Sequence, residues 1–541
     1  MEGHSQVKLY EHQKKARERY RNSDEIPLFF EMGTGKSITS AVIMCDKFKA
    51  GIIDSLLLIA PNDVHKQWYD DFTDYDSNLA IAVAQEGVEY DAQVFGGRGG
   101  QKKLFDFEDN GKLHIVCVNV DTFSTPHKWE CVVEWANANK TAIILDEATS
   151  VKNPSSKRSQ RILYEFNAVT RRGRVVIKSE KLNPVRCALT GTPSTNGPTD
   201  LWGIMEFIRP NYFGMNQYSF ENYFAMHTKL TVDSRTVPVL LTEKTWHGIR
   251  SCSSYAEAYN VFGCTEDTYL TVMHQDHYVG PYKHADQLKI LLDATASYAK
   301  LTDCVDMPPR NYVLKKVPLS EAQDKCYKDM RNDFLARYGD YTATAKNKMV
   351  VTMRLQQIAS GFIKAGKEMD WADMDSLEDY DLNPEEIVWL EDTNPRLEQL
   401  MRDVDELDKP LLIITRFSAE AAKIEELLRD KYSVMLFTGW KSTGTIKDFQ
   451  DGKFEIMVAN IRKIAKGFNL QNAHSTIYYS NTSSMEDREQ SEFRTFRSGQ
   501  KHPCSFVDYE SCQADRSIRT ALKVKQGMLE YLRSKDMKEI I

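Results

Sequence analysis

The chain has 541 residues, 42% apolar and 27% charged, with a formal net charge of −7. That balance excludes a uniformly basic nucleic-acid coat protein but not a local basic face, and the length predicts more than one core, since a single core rarely grows past about 250–300 residues. No run of about 18 apolar residues predicts a membrane span, the polar N-terminal segment predicts no secretory leader, and ten cysteines without a C-x-x-C pair predict reduced thiols and a cytoplasmic compartment.

In chain order, Ile26–Phe30 reads as a strand, followed by a glycine loop, Glu31-Met32-Gly33-Thr34-Gly35-Lys36-Ser37, and a helical pattern over Ile38–Phe48. Strand, glycine loop and helix in that order are what a phosphate-binding loop requires. Gly33 and Gly35 let backbone N–H groups approach phosphate oxygens, with Thr34 between them. Lys36 is then placed for the β/γ-phosphates of ATP and Ser37 for Mg²⁺. The full Walker pattern has Gly where this chain has Phe30.

Ser55–Ala60, Leu113–Val120, Thr141–Leu145 and Val185–Leu189 read as further strands. The first three are nearly continuous apolar runs, as expected of parallel strands covered on both faces. In open α/β sheets ligands sit beyond the carboxyl ends of such strands. Asp146-Glu147 stands at one of those ends. Asp146 is a candidate Mg²⁺ ligand and Glu147 a candidate base for the attacking water. An acidic pair at a strand end is commonly a helix cap; paired with Lys36-Ser37 it favours nucleotide hydrolysis.

Residues 215–300 are rich in Tyr, His, Asp and Thr and read as a mostly helical insertion. Cys252, Cys264, His274 and His277 fall in it. The His-x-x-His spacing is ligand-like, but cysteines twelve apart do not match a structural zinc site, so packed or exposed residues are the favoured reading. Lys346–Ile363 reads as a helix, and the run 368–392, free of Lys and Arg, as a solvated linker. An alternative is an internal mimic of nucleic-acid phosphate. Pro410–Thr415, Val434–Phe437, Glu455–Ala459 and Ser475–Tyr479 read as strands of a second sheet.

The motifs, taken in order, resemble the Swi/Snf-type DNA translocases of helicase superfamily two. The run Asp146-Glu147-Ala148-Thr149-Ser150-Val151-Lys152-Asn153 is similar to that family's acidic box, and Leu189-Thr190-Gly191-Thr192-Pro193 with Leu201-Trp202 to its third motif. Leu58–Trp68 resembles the motif that opens with a strand and Pro and closes on Trp. Leu411–Phe417, Gly467–Ala473 and the set Gln490, Arg494, Arg497, Gly499, Gln500 resemble the fourth, fifth and sixth motifs.

The resemblance implies an α/β fold of two RecA-like parallel-sheet lobes in tandem with mostly helical insertions. The expected division is 1–214 for the first lobe, 215–300 for the insertion, 301–394 for the opening strand, protrusion and linker, and 395–541 for the second lobe. It implies ATP and Mg²⁺ as cofactors and duplex DNA, bound without sequence specificity, as partner, in a compact form like those of bacteria and phages. The work implied is ATP-driven translocation, remodelling or annealing. A strand-separating helicase and a nucleotide-gated DNA clamp are the alternatives. By residue, it implies that Gln13 reads adenine, that Arg494 and Arg497 act as arginine fingers with Gln490 beside them, and that Thr149, Thr190, Thr192 and Gly467 couple the motifs. Asn62, Lys66, Thr122, Arg416, Lys463 and Lys466 are the expected DNA contacts. Gly96–Lys103 is a basic loop that reads as a DNA contact or a solvated linker.

The chain departs from the family at three places. Phe30 stands where Asp is usual, Thr149 where His is frequent, and Ile464-Ala465 where a Gly-Gly pair is usual.

Overall fold

The computed structural model describes the chain apart from residues 1–5, 63, 96–106, 109, 172–173, 178–184, 196, 233–234, 276–280, 334, 339–340, 345–347, 365–386, 439–440, 465–467 and 534–541. Gly467, Lys466, His277, the loop 96–103 and most of the acidic run therefore lie outside the described residues. The chain divides into two units: one of residues 1–304 with 524–541, the other of residues 305–523. Among the described residues no helix is long and apolar enough to cross a membrane.

The first unit is built on seven strands: β1 (Glu25–Phe30), β2 (Ser55–Ala60), β3 (Tyr90–Phe95), β4 (Leu113–Asn119), β5 (Thr141–Asp146), β6 (Arg186–Leu189) and β7 (Ser297–Ala299). They pair in the order β7-β1-β6-β5-β2-β4-β3, and every pairing is parallel. β2 and β5 are buried at every position, which is why they read as unbroken apolar runs. Parallel neighbours need crossover connections, so all seven strands present their carboxyl ends at one edge. Two apolar clusters cover the two faces. One holds Phe29, Leu57, Ile143 and Phe207; the other holds Leu28, Leu56, Trp68 and Ile144.

β3 was not visible as a pattern: five of its six residues are only partly buried, as befits an edge strand. The stretch 215–300 holds five helices among the described residues but is not purely helical. It contains an antiparallel hairpin, His227–Val232 with Arg235–Leu240, and it ends in β7, which pairs with β1. Its own apolar cluster includes Trp246, Ile249, Cys252, Cys264 and Val272. Cys252 and Cys264 are thus core side chains. His274 Nδ1 lies 2.7 Å from the Leu270 carbonyl on its own helix. Among the described residues no group of three metal-binding side chains occurs.

The main sheet of the second unit has six strands: β8 (Arg310–Lys316), β9 (Leu411–Thr415), β10 (Val434–Phe437), β11 (Ile456–Asn460), β12 (Ser475–Tyr478) and β13 (Cys504–Glu510). Their order is β8-β13-β12-β9-β11-β10, again parallel throughout. The end of the supposed linker is structured: Ile387–Trp389 pairs antiparallel with Phe362–Lys364.

Candidate nucleotide site

The phosphate loop follows β1. Gly33 and Gly35 have φ of +80° and +81°, a region that costs an L side chain strain. Gly35 is also the N-cap of the helix Lys36–Lys49, and it brings no side chain to cap the first-turn N–H groups. An uncapped helix N-terminus behind a glycine loop is an anion seat. Lys36 Nζ donates to the Phe30 carbonyl at 2.9 Å, which holds the ammonium over the loop. Ser37 is half-buried in the first turn.

Gln13 lies in the helix Glu11–Tyr20 and reaches the same loop. Its Nε2 donates to the Thr34 carbonyl at 3.2 Å and the Gly35 carbonyl at 3.4 Å, while its Oε1 accepts from Tyr10 N at 2.8 Å. A Cβ on Gly35 would stand 2.2 Å from Gln13 Nε2, a second reason for glycine there. His12 Nε2 is 2.8 Å from the Thr34 carbonyl, and burial pushes this imidazole below its ordinary pKa, partly opposed by that bond. Beside this helix is a cleft of about 650 Å³ lined by Tyr10, His12, Lys15, Phe30 and Tyr298 among others. His12 is not a residue the motifs single out; its place next to Gln13 is the only sequence signal for it.

Asp146 ends β5, with the pairing Asp146 to Leu189 setting it beside β6. Its Oδ1 accepts from Glu147 N at 2.9 Å and its Oδ2 from the indole Nε1 of Trp68 at 2.8 Å. Burial raises the Asp146 pKa above the carboxylate range, opposed by the Trp68 bond, the charge of Lys36 and the Glu147 N–H. Glu147 has φ +48°, a left-handed conformation that a non-glycine residue holds only where its surroundings impose it.

The third motif is packed onto both. The Thr190 N–H donates to the Leu28 carbonyl at 3.2 Å, and a Cβ on Gly191 would lie 3.5 Å from Lys36 Nζ. Thr192 N donates to Thr190 Oγ1 at 3.1 Å. Lys152 Nζ is 3.5 Å from Thr195 Oγ1, which donates to Asp200 Oδ2 at 2.7 Å. The helix Asp200–Ile208 comes so close that a Cβ on Gly203 would stand 2.2 Å from the Val151 carbonyl. Thr149 is buried in the 3₁₀ turn Ala148–Val151 on which that helix rests. Thr195, Asp200 and Gly203 are thus linking residues that motif order did not mark; the Thr195–Asp200 spacing across a helix start was the available signal.

Of the expected DNA contacts in this unit, Asn62 follows β2, and its Oδ1 accepts from Asn119 Nδ2 at 3.2 Å. Lys66 is exposed on the helix Val64–Thr73. Thr122 is buried in the turn Val120–Ser124 after β4. All three fall at the carboxyl edge of the sheet.

In the second unit, the helix Met485–Thr495 carries Gln490, half-buried, and Arg494, which is buried with Nη1 donating to the Phe468 carbonyl at 3.3 Å. Arg497 lies just past the helix, half-buried, and burial lowers its pKa. Gln500 Nε2 donates to the carbonyls of Gln471, Ala473 and Thr495 at 3.0–3.2 Å, stapling the fifth-motif segment to the sixth. Arg416 has its guanidinium against Gln356 Oε1, and its backbone N–H donates to Ser480 Oγ at 2.7 Å. Lys463 is exposed, with Nζ 5.8 Å from the Phe437 ring centre.

The model of the SNF2-related domain matches residues 16–361 of this chain. The chain belongs to the SNF2-related family. Among its relatives, a probable ATP-dependent DNA helicase, CHR12 of Arabidopsis thaliana, is 21% identical over 514 residues, 92% of this chain and 39% of that protein. The human chromatin-remodeling ATPase INO80 is 26% identical over 196 residues, 36% of this chain and 11% of that protein. An uncharacterized ATP-dependent helicase of Mycoplasma genitalium, MG018, is 24% identical over 197 residues, 36% of this chain and 16% of that protein. The chain therefore spans 39% of the length of the plant relative and much less of the others. Among solved structures, the Sulfolobus solfataricus SWI2/SNF2 ATPase core in complex with dsDNA is 18% identical with a TM-score of 0.36, covering 99% of this SNF2-related chain and 97% of that one.

Proposed function

We propose that this SNF2-related chain hydrolyses ATP when bound to double-stranded DNA and uses the cycle to translocate along it, remodelling or annealing DNA or protein–DNA complexes. The observation that carries the reading is the uncapped helix start at Gly35–Lys36 standing with a buried carboxylate, Asp146, whose field includes the Lys36 charge. An anion seat and a metal carboxylate are the two halves of a phosphoryl-transfer site.

The donor set fits Mg²⁺ rather than a metal held by protein alone. Mg²⁺ keeps most of its waters and takes one or two carboxylates plus substrate phosphates, and Asp146 with Ser37 offers that. When bound, the ion neutralises phosphate charge. The chain's own groups do the rest. The loop N–H groups and Lys36 hold the β/γ-phosphates, and Glu147 orients the attacking water and takes its proton. Arg494 and Arg497 neutralise the charge that develops on the transferring group, with Gln490 beside them. The cleft beside Tyr10 and His12 supports a seat for the base, with Gln13 at its border with the phosphate loop.

Thr149, Thr190 and Thr192, and with them Gly467, are assigned to carry changes at the phosphates to the third motif. Asn62, Lys66, Thr122, Arg416, Lys463 and Lys466 are assigned to the sugar–phosphate backbone, which would give binding without base readout. The cytoplasm of a bacterial or phage-infected cell is the compartment this reading implies.

The deciding measurement is ATP hydrolysis against duplex DNA, single strands and RNA. Stimulation by duplex supports translocation; displacement of a strand from a tailed duplex moves the reading to a strand-separating helicase. Stimulation by RNA alone overturns the DNA reading, and no hydrolysis with DNA and Mg²⁺ present leaves a nucleotide-gated clamp.

A further inference from the structure

Trp68 closes the motif that begins at β2, yet the hydrolysis scheme above gives it no work. It sits on the helix Val64–Thr73, buried at 3% exposure, in the cluster that also holds Leu58, Ala60 and Phe72. Its ring stacks on Phe72 at 6.0 Å, and Phe72 meets Tyr90 edge-on at 5.4 Å. A ring fixed in a close-packed interior moves with its helix rather than independently of it. At its inner end, the indole N–H donates to Asp146 Oδ2 at 2.8 Å. The other carboxylate oxygen is held by Glu147 N, so the two bonds together fix the rotation of the carboxylate.

The same helix starts at the loop after β2. Asn62 lies two residues ahead of it, joined to Asn119 at the tip of β4, and His65 N returns to the Pro61 carbonyl at 3.1 Å. Lys66, exposed, and Trp68, buried, are two residues apart, so they project from opposite sides of one rigid turn. Asn62 and Lys66 thus stand at the start of the same helix that carries the donor to Asp146.

We propose that Trp68 is a positioning residue through which contact of the Asn62–Lys66 segment with a sugar–phosphate backbone sets how firmly Asp146 holds a divalent cation. The proposal rests on the nucleotide-site reading above and adds the path by which DNA reaches it. Groups that orient metal ligands through hydrogen bonds typically change metal affinity by roughly 10–100-fold.

The test is Mn²⁺ affinity, read by electron paramagnetic resonance on the full chain with a hydrolysis-resistant ATP analogue, with and without a short DNA duplex. Wild-type protein is expected to bind Mn²⁺ more tightly with duplex present. Trp68→Phe keeps the ring and removes the N–H; it is expected to weaken Mn²⁺ binding by roughly 10–100-fold and to abolish the duplex effect. Wild-type affinity in Trp68→Phe, or a duplex effect that survives in it, overturns the proposal. Should the variant not fold, indole ¹⁵N resonances of the wild-type chain serve instead. One of the eight tryptophan signals should move on adding the Mg²⁺–analogue complex and again on adding duplex, and should be displaced in Asp146→Asn; no such signal overturns the proposal. A wild-type chain that binds no Mn²⁺–analogue complex overturns the nucleotide-site reading itself, and with it this one.

Discussion

The charged side chains that the motifs single out are held differently in the two units, each taken by itself. In the first, two of them are held by hydrogen bonds to neutral groups. Lys36 is held by a backbone carbonyl, and Asp146 by an indole and a backbone N–H. In the second unit one helix and the turn just past it show two kinds of arginine. Arg488 is saturated: it reaches Asp508 at 2.5 Å, Glu492 at 2.7 Å and Asn481 at 2.7 Å. Arg497 is half-buried, and among the described residues no carboxylate lies within ion-pair distance of it. A guanidinium neutralised inside its own unit is a structural tie. One that is desolvated and not neutralised is suited to an incoming anion. The sixth-motif pattern names Arg494 and Arg497 and passes over Arg488 in the same short stretch, and the bonds of Arg488 give that omission a physical reason.

The largest effects should come from breaking that contrast directly. Arg497→Ala should lower DNA-stimulated hydrolysis by roughly 10³-fold or more, as loss of an arginine finger does, with the melting temperature little changed. Arg488→Ala should do the reverse at the level of the fold, costing about 3 kcal/mol, because half-buried Asp508 loses its cation and buried Glu492 keeps only Arg310, at 3.9 Å. If denaturant melts show Arg497→Ala as the destabilised variant and Arg488→Ala as the stable, inactive one, the assignment of the two arginines is inverted. In the first unit, Lys36→Ala should cost roughly 10²–10³-fold in hydrolysis with the fold intact. Hydrolysis unchanged in that variant would sink the phosphate-loop assignment.

How much of this was legible in the sequence depended on burial. β2 and β5 were readable because both faces are covered and the run is unbroken. The edge strands β3 and β7 were not, because one is half-exposed and the other is three residues long inside a polar stretch. Lys36, Asp146 and Glu147 were legible from their order along the chain. The connections between them were not. Trp68 to Asp146, Lys152 to Thr195 and Gly203 to Val151 are contacts across 78, 43 and 52 positions, and no local pattern encodes them.

A middling effect should come from the tightest of those connections. With the third-motif helix seated against the acidic box, Gly203→Ala must displace backbone, since the added carbon would meet the Val151 carbonyl at 2.2 Å. Overpacking of this kind costs about 1–3 kcal/mol. The sharper readout is function. If the helix transmits between the acidic box and the third motif, duplex stimulation should fall further than unstimulated hydrolysis. Equal losses in both would reduce Gly203 to a packing residue and weaken the view that the first unit's fastenings serve coupling.

The smallest effect tests whether fastening extends to the helix that carries Gln13. Arg17 on that helix makes paired bonds of 2.7 Å to Asp46 and to Glu86. Burial is the largest single influence and works to raise both carboxyl pKa values, but Arg17 and Lys49 together outweigh it and leave them lowered. A depressed folded-state pKa means stability that is complete above the unfolded value and lost as pH falls through the folded one. Arg17→Ala should therefore cost about 1–2 kcal/mol near neutrality, given the partial exposure of the cluster. The gap between variant and wild-type melting temperatures should hold down to roughly pH 4 and close below it, as the carboxyls of ordinary pKa about 4 protonate. Nucleotide affinity should fall by less than about tenfold, because His12 and Gln13 keep their own bonds to the Thr34 carbonyl. A gap that persists unchanged to pH 3 would show that the helix is held by its apolar face, through Ala16 and Tyr20, and that the charge cluster does not position Gln13.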